Sequence, residues 1–293
     1  TQQRTPIGRN GVIKLDSGKE ITVDFMHMEE DTAKAFHIMD DTLLDFNRCG
    51  IPLVEIVSGP DLRSGAEVRE YLEKLRETLL FLDASDCKME EGSLRVDVNV
   101  SIRPYGQEAF NTKVEIKNLN SFNNVELAIL AEVKNQTEAL NTGKKVVQCT
   151  KRFNEATKKV EIMRIKESMD DYRYFPEPDL PRIILEEDYV SEVIKDMPLL
   201  PTEIKSRLID LGFTMKDINV LFADREMTLF LIHAIEQGCD AKQTFNYLVA
   251  NVNEYLNKNK LPFKEVHFTV EHLNDLEKFL EEKTISSSHI KKI

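Results

Sequence analysis

Every second residue of Arg95-Val96-Asp97-Val98-Asn99-Val100-Ser101-Ile102-Arg103 is charged or hydrogen-bonding, and the residues between are aliphatic. Lys113-Val114-Glu115-Ile116-Lys117 repeats the pattern. A period of two predicts strands. Successive side chains leave a strand on opposite faces, so the valines and isoleucines go to a core, and Arg95, Asp97, Asn99, Glu115 and Lys117 take the other face or faces. Such a row is either a solvated sheet face or the floor of a cleft that handles a charged substrate. Gly-Lys-Glu and Asn-Gly turn signals mark off Val12 to Leu15 from Ile21 to Phe25, which predicts a hairpin. Leu53-Val54-Glu55-Ile56-Val57 is a short aliphatic strand with one carboxylate in its middle, and that carboxylate needs a partner. Ser64 followed by Glu67 has the spacing of a capping box, and Val68, Tyr71, Leu72, Leu75, Leu79 and Leu82 then recur at helical spacing. A second helix is expected from about Phe122, through Val125, Ile129 and Val133, to a stop at Gly143. Strands and helices interleave, so the fold class is α+β.

Pro176-Glu177-Pro178-Asp179-Leu180-Pro181 interrupts this alternation, and its prolines favour a rigid extended connector. Two domains follow from it, an α+β domain over 1–181 and a helical one over 182–293. In the second, Ile204, Leu208 and Leu211 end at Gly212, Thr214 caps the next turn, and Met227, Phe230, Leu231, Ala234 and Ile235 end at Gly238. Phe245, Leu248, Val249, Val252 and Leu256 form another apolar stripe, and Leu273, Leu276, Phe279 and Leu280 a last one. These stripes are packing surfaces.

A chain of 293 residues with 41% hydrophobic content is long enough for two cores. Its formal charge of -12 and pI near 5.1 argue against coating nucleic acid through bulk electrostatics, so any RNA contact is local. Cys49, Cys87, Cys149 and Cys239 lack the short paired spacing of a zinc site or disulfide framework, and reduced conditions fit them best. No apolar run approaches the roughly 20 residues of a membrane span. Thr1-Gln2-Gln3-Arg4-Thr5-Pro6 has neither a signal-peptide core nor an initiator Met, from which a fragment or processed product is expected.

Five segments share an ordered pattern with a known family. They are His27-Met28-Glu29-Glu30-Asp31; Leu44 to Val57, containing Asn47-Arg48-Cys49-Gly50-Ile51-Pro52; Met89-Glu90-Glu91-Gly92-Ser93-Leu94-Arg95; Val114 to Phe122; and Asp171-Tyr172-Arg173-Tyr174-Phe175-Pro176. In that order the chain resembles the B subunit of the bacterial and organellar aspartyl/glutamyl-tRNA amidotransferases, from about His27 to Pro181 and more weakly beyond. The resemblance implies a cradle-shaped α+β domain, a helical domain and the start of a tRNA-holding tail. It also implies ATP-dependent phosphorylation of the carboxylate of misacylated Glu-tRNA(Gln) or Asp-tRNA(Asn), followed by amidation with ammonia from an amidase partner, the A subunit. A third and small partner, the C subunit, is implied as well, in bacterial cytoplasm or an organelle matrix. Against an enzyme stands the alternative of a non-catalytic tRNA-binding and scaffold subunit of the same assembly.

Amide synthesis needs activation because a carboxylate oxygen is a poor leaving group, and phosphoryl transfer asks chiefly for positioning and charge neutralisation. Magnesium prefers hard oxygen ligands and keeps waters, so one or two carboxylates suffice. The resemblance assigns Glu29 and Glu55 to Mg2+; the residues alone leave Glu55 equally open to an exposed edge position. His27 is expected to be a hydrogen-bonded histidine rather than a ligand or base. Arg95, Asp97 and Lys117 are the candidate catalytic residues, and Asn99, Asn118 and Arg173 the candidate ATP-binding ones. Structural ion pairs of Arg95, Lys117 and Arg173 with Asp97, Glu115 or Asp171 are the alternative, and the two roles are compatible. Asn120 can orient oxygens or form a turn, and Tyr172 and Tyr174 can stack on a base or pack the connector. The chain departs from the family in lacking an N-terminal Gly-Leu-Glu-x-His segment with further metal ligands and a four-cysteine motif. It also has Gly59 where Glu is usual and Asp170 where His is usual.

Overall fold

A computed structural model describes residues 5–165 and 184–286, with Pro178, Pro181 and His289. The chain forms two compact units, Thr1–Leu79 with Ser85–Glu192, and Leu80–Ala84 with Val193–Ile293. The fold class is α+β.

In the first unit, β1 (Gly8–Lys14), β2 (Glu20–Glu30) and β5 (Pro52–Ser58) form an antiparallel sheet in the order β1-β2-β5. The expected hairpin is its β1-β2 pair. β3 (Lys34–Ile38) and β4 (Asp41–Asp45) make a separate exposed ribbon between β2 and β5. The second sheet has the order β6-β7-β8-β9, from β6 (Val96–Val100), β7 (Val114–Leu119), β8 (Cys149–Asn154) and β9 (Lys159–Ile165). β7 and β8 are parallel, so the chain must cross over between them, and α2 (Phe122–Asn141) is that crossover.

The two helices start where the sequence places them. Ser64 Oγ accepts from Glu67 N at the head of α1 (Gly65–Phe81), but the Glu67 carboxylate reaches Arg63 N at 2.7 Å rather than closing a box onto Ser64. Lys19 Nζ, 2.7 Å away, binds the same Glu67 oxygen. Ser121 caps α2 by accepting from Asn124 N, and past its end Gly143 takes a left-handed φ of 72°. The apolar rows of β6 and β7 pack with Tyr71, Leu72, Val125, Ala128 and Ile129 in one core. Their alternation therefore has one buried and one polar side. β6 stops at Val100, short of the expected Arg103, because Ile102 N turns to Gln136 Oε1 and Asn111 Nδ2 takes Ile102 O.

The second unit is helical. α3 (Tyr189–Lys195) leads to α4 (Pro201–Asp210), α5 (Met215–Leu221) and α6 (Arg225–Glu236). α7 (Ala241–Asn246) runs through a π-helical segment, Tyr247–Val252, into α8 (Asn253–Asn259), and α9 (Val270–Glu281) closes the unit. Ile204, Leu208, Leu221, Leu231, Leu248 and Leu256 share its core with Phe81, which stacks on Phe222 at 4.9 Å. No helix among the described residues is long and apolar enough to cross a membrane.

Candidate functional site

β2 and β5 bring two of the predicted residues together. His27 stands opposite Glu55 in the antiparallel register, and Glu29, two residues along β2, points to the same face. This pairing shows what a carboxylate in an aliphatic strand meets: Glu55 is exposed at its edge, yet its charge acts on Glu29. Glu29 is held above the ordinary carboxylate value, first by burial and then by the negative charge of Glu55, with His27 acting the other way. His27 packs edge-on against Phe25 at 5.1 Å. Among the described residues no three His, Cys, Asp or Glu side chains gather as a metal cage. Two carboxylates that repel each other on one face are nonetheless the donor set a hard, water-retaining ion takes, and in that sense they fit magnesium.

The row continues past β2. Asp31 N donates to Ile51 O and Gly50 N donates to Asp31 O, which extends the β2-β5 pairing by one step and sets Asp31 next after His27 and Glu29. Its carboxylate is 9% exposed. Arg95 Nη2 donates to Asp31 Oδ2 at 2.6 Å, and Arg48 Nη1 lies 3.7 Å from the same oxygen. These contacts, led by the Arg95 hydrogen bond, hold the Asp31 carboxyl below its ordinary value. Arg95 is thus paired, but with Asp31 rather than the expected Asp97, Glu115 or Asp171. Sequence reasoning gave Asp31 and Arg48 no role, although both lie inside quoted motifs. The signal that could have found them was a third acid directly after Glu29-Glu30, at the end of a strand.

Arg95 also opens the polar row of the second sheet. Arg95, Asp97 and Asn99 are exposed while Val96, Val98 and Val100 are more buried, so the three polar residues share a face. Lys117 bonds Asp97 at 2.5 Å and approaches Glu115 at 3.3 Å, and Glu115 accepts from Thr150 Oγ1. Burial disfavours the Lys117 ammonium, but the hydrogen bond and charge of Asp97, then Glu115, outweigh it and hold its pKa above the ordinary value. Lys117 is a cation at neutral pH. Asn99 pairs across from Glu115. Asn118 adopts a left-handed φ of 61°, where three residues of β7 span two of β6, so it is a bulge residue. Asn120 turns away to bond Glu155, which also binds the α2 residue Asn124.

Arg173, with Tyr172, Tyr174, Asp170 and Asp171, lies outside the described residues. Gly59 is buried, and a Cβ there would meet Asp24 Oδ1 at 3.0 Å and Asp61 Oδ2 at 3.1 Å. The departure at this position therefore spares a pair of carboxylates a close neighbour. The site as a whole is two polar rows, His27-Glu29-Asp31 and Arg95-Asp97-Asn99, joined by the Asp31–Arg95 ion pair.

Comparison with known proteins agrees with the motifs. Residues 1–191 match the family model described as the GatB/GatE catalytic domain, and residues 229–293 match one described as the GatB domain. The chain is 48% identical over 292 residues to the B subunit of an aspartyl/glutamyl-tRNA(Asn/Gln) amidotransferase of Staphylococcus epidermidis, covering 98% of this chain and 62% of that relative. The proteins of the same description from Staphylococcus haemolyticus and Staphylococcus carnosus are 48% and 46% identical over the same shares. The chain thus spans less than two thirds of the length of these relatives.

Proposed function

The chain belongs to the family of the GatB/GatE catalytic domain, and from that premise we propose that it activates the side-chain carboxylate of misacylated Glu-tRNA(Gln) or Asp-tRNA(Asn) with ATP for amidation. The observation that carries this reading is the junction of an acidic row, His27-Glu29-Asp31 with Glu55, to a row led by Arg95. A carboxylate oxygen attacks the γ-phosphorus and ADP leaves; ammonia then displaces inorganic phosphate from the acyl phosphate and leaves the amide. The ammonia comes from an amidase partner, the A subunit, and the small C subunit makes up the rest of the assembly.

Both steps move negative charge, and this protein's residues answer that charge. Glu29 and Glu55 are the residues that would hold Mg2+, which when bound would supply positive charge to phosphate oxygens. With Glu29 held above the ordinary value, the pair favours a cation over two bare negative charges. Arg95, oriented by Asp31, directs positive charge at the transferring group. Lys117 stays cationic and orders Asp97 on the same polar face, while Asn99 orients an oxygen without adding charge. Asn118 shapes that face through its bulge.

The decisive experiment uses the full-length protein in its assembly and compares wild type with Glu55→Ala for ATP-dependent conversion of Glu-tRNA(Gln), monitoring glutaminase activity and assembly alongside. Conversion is expected to vanish while the other two persist. Unchanged conversion would make Glu55 structural and move the active centre elsewhere. Absence of magnesium-dependent nucleotide protection of this subunit against heating would favour the scaffold role.

A further inference from the structure

Asp31 gathers two cations where an ordinary ion pair needs one. The same Oδ2 receives Arg95 Nη2 at 2.6 Å and has Arg48 Nη1 at 3.7 Å. The acid is 9% exposed, whereas the Arg48 and Arg95 side chains are 47% and 48% exposed. The carboxylate is enclosed while both guanidinium groups remain half open, so N–H groups not used on Asp31 face outward where a ligand can reach them. Counting formal charge, two cations against one anion leave a positive excess on the open side.

Each of the three residues is tied to its neighbours by hydrogen bonds. Asp31 is tied by its backbone to Gly50 and Ile51, Ile51 N bonds Arg48 O, and Arg95 Nε donates to Gly92 O at 3.3 Å. Gly92 itself has a left-handed φ of 82°, in the turn that delivers Arg95. Arg48 and Arg95 therefore come from separate segments, one from the turn before β5 and one from the turn before β6, and meet on a shared anchor. Glu29 lies two residues back from Asp31, about 7 Å along an extended chain. A ligand that is both metal-bound and multiply anionic matches an acidic end followed at that distance by two guanidinium forks, which fit tetrahedral oxyanions.

We infer that Arg48 and Arg95, docked together on Asp31, form a clamp for the phosphoryl group of the nucleotide, with Arg48 as its second binding residue and Asp31 as the positioning residue. This rests on the ATP-dependent reading above. The carboxylate of the aminoacyl group is an oxyanion too, so the two substrates are separated in the test.

The full-length assembled enzyme is assayed with ATP and aminoacyl-tRNA varied independently, for wild type, Arg48→Gln, Arg48→Lys and Asp31→Asn, with thermal melting of each. Losing one charge-assisted contact is expected to raise the KM for ATP by about ten- to a hundredfold in Arg48→Gln. The KM for tRNA and the melting temperature stay near wild type, and Arg48→Lys recovers part of the loss. Asp31→Asn shifts the KM for ATP in the same direction because both guanidinium groups lose their anchor. A lowered melting temperature with the KM for ATP unmoved makes the cluster structural and overturns the inference. A raised KM for tRNA alone assigns the pair to the carboxylate and also overturns it. Wild type converting tRNA without ATP would instead overturn the parent reading, a failure visible before any variant is compared.

Discussion

Replacing Lys151 by Met tests how the two sides of the second sheet are held apart. Lys151 lies on β8 and points to the core side, where its Nζ is 2.7 Å from Glu132 Oε2 on α2. Glu132 is 0% exposed and Lys151 13% exposed. Gln136 Nε2 binds both Glu132 Oε1 and Val100 O, so the pair also fixes the end of β6. The direct attraction at this distance is about 6 kcal/mol at an effective dielectric near 20. Burial opposes it, and the net cost of stranding one buried charge is about 3 to 5 kcal/mol. Lys151→Met should therefore destabilise the first unit by that amount, while Glu132→Leu/Lys151→Met, which removes both charges, should return to within about 1 kcal/mol of wild type. Because the chain has two units, a single unfolding curve would blend them, and hydrogen exchange separates them. Amides of β6, β7 and β8 are expected to exchange at least a hundredfold faster in Lys151→Met, on the scale of about 1.4 kcal/mol per tenfold, while those of α4 and α6 do not change. Less than a tenfold change at β6 and β7, or a double variant worse than the single, would refute the assignment of Lys151 as the counter-charge that Glu132 needs.

Other outcomes follow from single groups. Among the described residues the buried Tyr71 hydroxyl meets no hydrogen-bond partner, and burial pushes its pKa up to about 12. Tyr71→Phe should be neutral or stabilising near pH 7. In wild type the unfolded phenol ionises first, so stability falls as pH rises from the ordinary value of 10 to about 12, and urea titrations of the variant should lack that part of the alkaline loss. Asp31 shows the opposite sign: its lowered pKa contributes stability above the ordinary value of 3.8 that is lost as pH falls below it, and acid titration of Asp31→Asn should lack that component. Lys260 ends α8 at a left-handed φ of 54°, so Lys260→Gly is expected to stabilise the helical unit by up to about 1 kcal/mol, read from hydrogen exchange of its core amides. A loss instead would mean that the lysine side chain contributes more than its strained backbone costs.

The amino-acid sequence determined the elements whose local signals agree with their packing. The alternation of β6 and β7, the Ser121 cap, the glycine stops and the leucine stripes of α4, α6 and α8 are all legible, because period and capping chemistry depend on near neighbours alone. β3, β4, β8 and β9 carry no comparable local signal. Cys149-Thr150-Lys151-Arg152-Phe153-Asn154 carries charge on both faces, and what makes it a strand is its parallel seat beside β7 and the burial of Lys151 against Glu132. The candidate site divides in the same way. Glu29, Glu55, Arg95, Asp97 and Lys117 could be chosen from motif and alternation, but their partners could not. The pairing of His27 with Glu55 depends on strand register across 28 residues of sequence, and that of Arg95 with Asp31 spans 64. Sequence spacing carries no record of such distances; the register of β2 on β5 sets His27 against Glu55, and the approach of the turn before β6 to the end of β2 sets Arg95 against Asp31.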